Sequence, residues 1–159
     1  MQRLINTLFA ATKSGYLNLD TLKCWADRCI EEIEQPIYLL IELSTAANTK
    51  DVLNILLTAL PESGGICNEY YGELLIGFLY LQLKKDGGDL DKFATECIGI
   101  MDVYCVQGGP TGTEFINGAL AEEFVESLVV LAKESEANLE RVLEMRFDAD
   151  ENKALKKAN

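Results

Sequence analysis

With no histidine in the chain, carboxylates, tyrosines and thiols are the side chains to weigh for catalysis, and spacing decides what they can do. Glu31-Glu32 and Glu122-Glu123 are adjacent acids on segments of helical pattern. Acid–base work by two carboxylates needs them across a defined gap, and neighbours on a helix do not face each other. Neither pair reads as a catalytic dyad. The cysteines are Cys24, Cys29, Cys67, Cys97 and Cys105, irregularly spaced and without a Cys-x-x-Cys. A nucleophilic thiol wants a histidine beside it, and the chain has none. Histidine is also the commonest metal ligand, so zinc chemistry loses its usual donor. The thiols read as buried and reduced, since free cysteine is among the most buried residue types.

Two further stretches imitate ligand loops and fail in detail. Gly108-Gly109-Pro110-Thr111-Gly112-Thr113 precedes a helical pattern, but the lysine of a phosphate loop does not follow and no strand leads in. Thr111 and Glu114 have the spacing of a capping box, which explains the stretch as a helix restart. Asp148, Asp150 and Asn152 alternate as calcium ligands do, but Lys153 stands where the sharp turn needs glycine. No catalytic residue, cofactor or metal site is therefore expected, and the chain reads as a non-enzyme.

Charge says more. The 159 residues carry 26 acids against 14 bases, a formal net charge of −12, yet 48% of them are hydrophobic. That combination is a folded domain with an acidic surface, not a disordered acidic tail. Such a surface repels nucleic acid and anionic membrane and attracts basic partners. The longest apolar stretch, Leu74 to Leu83, is well short of the ~20 residues of a membrane span. Asn6 and Thr7 interrupt the apolar N-terminus, which reads as an amphipathic helix rather than a signal peptide.

The elements that must carry these charges are helical almost throughout. A first helix spans Gln2 to Lys13, stopped by Gly15. A second spans Leu19 to Gln35, capped by Asn18 or Asp20, with Leu22, Trp25, Ala26, Cys29, Ile30 and Ile33 as its core stripe. Pro36 opens a third, to Ala47, so apolar all round that it is expected to be central. A fourth covers Val52 to Leu60 behind an Asn48–Asp51 cap. The fifth, Asn68 to Lys85, contains Gly72 and Gly77, whose cost in a helix predicts close packing against a neighbour. The sixth runs Leu90 to Val106, burying Phe93, Ala94, Cys97, Ile98, Met101 and Cys105. A seventh starts near Thr113, and Asn138 to Phe147 either continues it or forms an eighth. The fold class is all-α: seven or eight helices in a multi-helix bundle or a short stack of antiparallel hairpins. One domain covers 1–147, with 148–159 a polar, fraying tail.

The acids are unevenly placed. Glu31, Glu32 and Glu34 crowd the C-terminal end of the second helix, where the helix dipole disfavours negative charge. From Thr113 to Asn152, eleven acids face three bases. There Glu122 and Glu126 lie opposite the stripe of Leu120, Ala121, Phe124, Leu128 and Leu131, with Glu123 alongside and Val129 and Val130 near the acidic face. Acids flanking exposed apolar residues suit a basic protein partner with an apolar centre. Solvation alone also accounts for glutamate-rich helix faces. The candidate partner-binding residues are Glu31, Glu32, Glu34, Glu122, Glu123, Glu126 and Val130.

The stretch Gly15-Tyr16-Leu17, Leu22-Lys23-Cys24-Trp25-Ala26-Asp27-Arg28 and Glu34-Gln35-Pro36-Ile37-Tyr38-Leu39-Leu40-Ile41-Glu42-Leu43-Ser44 resembles small all-helical bacterial immunity proteins. These proteins are the immunity partners of polymorphic and contact-dependent toxins. The resemblance covers about residues 15 to 60. It implies a cytoplasmic protein whose partner is a cognate toxin domain, basic and a nuclease such as a ribonuclease. It also implies inhibition by occlusion, with carboxylates standing in for substrate phosphates. A non-enzymatic helical adaptor is the alternative, and a thiol- or metal-dependent enzyme a more distant third.

Overall fold

The computed structural model describes residues 2–60, 68–104 and 122–145. Among these, every regular element is an α-helix: α1 (Gln2–Lys13), α2 (Leu19–Glu32), α3 (Tyr38–Thr45), α4 (Thr49–Ala59), α5 (Asn68–Asp86), α6 (Leu90–Tyr104) and α7 (Glu122–Glu144). The all-α expectation holds, in its bundle form. The most extensive packing is between α5 and α7, while α1 packs on α4, α5 and α7, so the core joins helices distant in sequence. The glycine-108 loop, the calcium-like acids at 148–152, the tail from 148, Cys67 and Cys105, and Leu120 and Ala121 lie outside the described residues.

Local chemistry sets the ends. Gly15 takes φ +79° just past α1, a conformation that glycine adopts without a Cβ penalty. Asn18 caps α2, its side-chain oxygen accepting from the Thr21 amide at 2.8 Å. Asn48 does the same for α4 through the Asp51 amide at 3.0 Å. Helix α2 stops at Glu32, earlier than its apolar pattern predicts. Ile33 is already extended, at φ −109° and ψ 124°, ahead of a proline that forbids its predecessor a helical conformation. Helix α3 correspondingly begins at Tyr38 rather than at Pro36.

The expectation of a central third helix is overturned. Helix α3 has eight residues, buries only Leu40 and Leu43, and packs on α2 and α4 at the periphery. Its outer side leaves Tyr38 and Ile41 in solvent. The central elements are α1 and α5. Every residue of α1 from Leu4 to Thr12 is buried, polar ones included. Asn6 donates to the Gln2 carbonyl and Thr7 to the Arg3 carbonyl, each at 2.8 Å, so these side chains enter the core with a partner from their own helix.

Helix α5 carries Tyr71, Leu74, Leu75, Ile76, Phe78 and Tyr80 into the core, with Gly77 at its closest approach to α7. A Cβ on Gly77 would stand 2.5 Å from the Leu131 carbonyl oxygen and nearer still to Ser135 Oγ. Ser135 then donates to the Leu74 carbonyl at 3.3 Å. A smaller cluster of Ile76, Tyr80, Phe93, Cys97, Leu128 and Ala132 joins α5, α6 and α7, and both clusters meet at Leu79, Leu81 and Ile100. Ile98 and Met101, expected in the core, are half-buried.

Gly77 and Gly99, each interior to a helix, make opposite predictions. Gly77→Ala forces backbone apart and should lower unfolding free energy by about 3 kcal/mol. Gly99 has nothing within 4 Å of a built Cβ, and Gly99→Ala should raise stability by roughly 0.5–1 kcal/mol. Urea unfolding of both variants checks the pair.

Candidate functional site

The candidate residues fall on two separate parts of the surface. The first is the corner where α2 gives way to α3. Glu31, Glu32 and Glu34 are all exposed there. Two ties hold α3 against α2: Lys23 Nζ donates to the Ala46 carbonyl at 3.2 Å, and Ser44 donates its hydroxyl proton to the Asp27 carboxylate. Helix α2 is in turn fastened to the last turn of α7. Trp25 Nε1 donates to the Val142 carbonyl at 3.0 Å, and the Arg28 guanidinium donates to the Leu143 carbonyl. Those carbonyls lie in the last turn of a helix, where carbonyls run short of intrahelical amides and a cation is favourable; that of Val142 also accepts from the Met145 amide at 3.2 Å. Trp25, 4% exposed, is therefore a packing and capping residue.

The second part is α7. Glu126 is exposed and Val130 is 53% exposed, with Glu134 one turn further along the same face. Val129 is turned inward, packed on the cluster shared by α5 and α6, which corrects its expected place beside Val130. Glu122 and Glu123 open α7, and their side chains lie outside the described residues, as does that of Phe124. The two parts do not converge. Sixteen residues separate Glu126 from the Val142 carbonyl that holds Trp25, about 24 Å along the helix axis.

Several bases are turned onto the protein's own surface. Arg28 and Lys23 cap helix ends, the Arg3 guanidinium lies over the Tyr70 ring at 5.6 Å, and Lys84 lies over Tyr80 at 5.1 Å. Between Cys29 and Thr49 the sequence has no lysine or arginine, and its acids Glu31, Glu32, Glu34 and Glu42 go unopposed there.

Sequence reasoning did not single out Tyr16 or Tyr38. Tyr16 donates its phenol to Glu136 at 2.9 Å across 120 positions, at the edge of an open cleft of about 370 Å³ shared with Asn18, Thr21, Lys85 and Glu140. Burial, then the hydrogen bond and charge of Glu136, push the phenol up to about 12. It stays a neutral donor, which makes it a tie between chain segments rather than a nucleophile. Tyr38 is the most exposed large apolar residue described, at 67%. The signal for it was present, since tyrosine carries an amphipathic ring and opens α3 next to three acids.

The thiols divide. Cys24 is exposed, against the expectation that the cysteines are buried, while Cys29 and Cys97 are buried. Burial pushes the Cys29 thiol up to about 11 and that of Cys97 up to about 12. Among the described residues, no three histidine, cysteine or acidic side chains gather as a metal site would need, and no helix is long and apolar enough to cross a membrane. Native alkylation with iodoacetamide, read by peptide mass spectrometry, should label Cys24 and spare Cys29 and Cys97 through pH 9. Both should label fully after unfolding in urea. In comparisons with known proteins, no family model, no curated protein and no solved structure matches this chain.

Proposed function

We propose that this chain is a non-enzymatic immunity protein that binds and neutralises a cognate toxin in the cytoplasm. The toxin domain is basic, and a nuclease such as a ribonuclease fits best. One observation carries the reading: where α2 gives way to α3, exposed acids precede exposed apolar side chains in the chain, while Lys23 and Arg28 of α2 donate to backbone carbonyls of the protein itself. An interface of that make-up has apolar residues to anchor the contact and carboxylates to select a cationic partner. A basic nuclease surface, built to receive phosphates, is complementary to it. Occlusion needs no catalytic group on the inhibitor. A net charge of −12 also speeds encounter, which matters when an incoming toxin must be stopped quickly. The resemblance over residues 15 to 60 points the same way.

A helical adaptor is the second reading. An apolar groove of about 380 Å³ between α5 and α6, lined by Leu75, Leu79, Ile100 and Val103, favours it. Stable self-association through that groove, seen by light scattering, would support the adaptor.

Calorimetric titration against the toxin domain encoded beside this chain's gene, at low and at physiological salt, tests the proposal. Tight binding that weakens with salt is expected. Replacing Glu31, Glu32 and Glu34 together with alanine should lower affinity roughly tenfold and flatten the salt dependence, and replacing Glu122, Glu123 and Glu126 should do so only if the α7 face is the interface. The melting curve should not move. Unchanged affinity at low salt would remove the altered face from the interface, and no binding by the unmodified protein would remove the immunity reading.

A further inference from the structure

The outer face of α3 has the make-up of a binding anchor, and among the described residues none covers Tyr38 or Ile41. Tyr38 and Ile41 are 67% and 41% exposed and lie three residues apart, so they share one face. Leu40 and Leu43 already supply the buried side of that helix. A large exposed apolar pair serves no purpose in folding and carries a solubility cost. The chain on either side of it is acidic from Glu31 to Glu42, with exposed Lys50 on α4 the next base along the sequence. Glu31, Glu32 and Glu34 precede it, Glu42 follows one turn after Tyr38, and no base occurs between Cys29 and Thr49. Lys23 and Arg28, the nearest bases on α2, donate to the Ala46 and Leu143 carbonyls. The α7 face around Val130 differs, because Lys133 and Arg141 are exposed on that helix.

We propose that the α3 face, with Tyr38 and Ile41 as anchors and Glu31, Glu32, Glu34 and Glu42 as its rim, is where a basic protein surface with an apolar centre docks. This rests on the reading that the chain binds a basic protein partner, and it says where. A second copy of this chain is a poor occupant, because a two-fold contact would set the same acids against each other. Nucleic acid and anionic lipid are repelled by the same rim. Tyrosine is among the residues that dominate binding energy when a partner desolvates them. The face is also held ready. Asp27 and Ser44, with Lys23 and Ala46, lock α3 to α2, and Trp25 and Arg28 lock α2 to α7. A pre-organised surface loses little freedom on binding.

The test uses ferricytochrome c, a basic protein whose exposed haem edge is ringed by lysines. Titrating it into the isotope-labelled chain at low salt should perturb backbone amide signals concentrated in residues 31–42. Tyr38→Ser should weaken that binding at least about fivefold. Its melting temperature should stay that of the unmodified protein, since the side chain is two-thirds exposed. Ile41→Ser should act in the same direction. Perturbations centred on α7 around Val130, perturbations spread over all acidic positions, or unchanged affinity in Tyr38→Ser would overturn the proposal. Toxin neutralisation is scored separately. A footprint on α7 leaves the immunity reading standing, and a failed neutralisation leaves the docking face standing.

Discussion

The close approach of α5 to α7 at Gly77 sets the geometry on which the rest depends. With no side chain between them, the Leu131 carbonyl and the Ser135 hydroxyl come down onto the α5 backbone. That depth places Leu128, Ala132, Leu139 and Val142 in the core. Tyr16 reaches Glu136, Trp25 reaches the Val142 carbonyl and Arg28 reaches the Leu143 carbonyl, so hydrogen bonds tie the α2 end of the fold to α7, while α2 packs most extensively on α3. Helix α3 is then carried on α2 through Asp27 and Lys23. The missing methyl group at Gly77 sets how closely α7 lies on α5, and the side-chain bonds from Trp25 and Arg28 link that pair to α2 and α3.

This order separates the stabilising interactions from the charges. The core is apolar, and the buried polar side chains of Asn6, Thr7 and Ser135 bond to nearby carbonyls. Cations near the acidic corner are used at helix ends, where the dipole favours them. The carboxylates of Glu31, Glu32, Glu34 and Glu126 are left exposed. Exposed acids of this kind contribute little to stability, so their number is better explained by what they attract and repel than by folding.

Much of the fold was legible because it rests on local rules. The bounds of α1, the caps at Asn18 and Asn48, and the close packing at Gly77 each follow from a residue type at a position. Depth was not legible. An all-apolar short segment reads the same whether it is central or has one side left open, so α3 was misplaced. The polar Asn6 and Thr7 disguised α1 as amphipathic, because a hydrogen bond to the helix's own carbonyl leaves no trace in periodicity. The ties from Tyr16, Trp25 and Arg28 to α7 span more than a hundred positions, and no spacing encodes them. The acidic residues could be named from sequence, but that they form two separated parts, one centred on Tyr38, required the three-dimensional arrangement.

The most direct measurement is growth of cells that express the product of the gene adjacent to this chain's own, with and without this chain. The account predicts that growth is restored by the chain and lost again when Glu31, Glu32, Glu34 and Tyr38 are replaced together in a variant that still folds. Equal killing in the presence of the chain would contradict it.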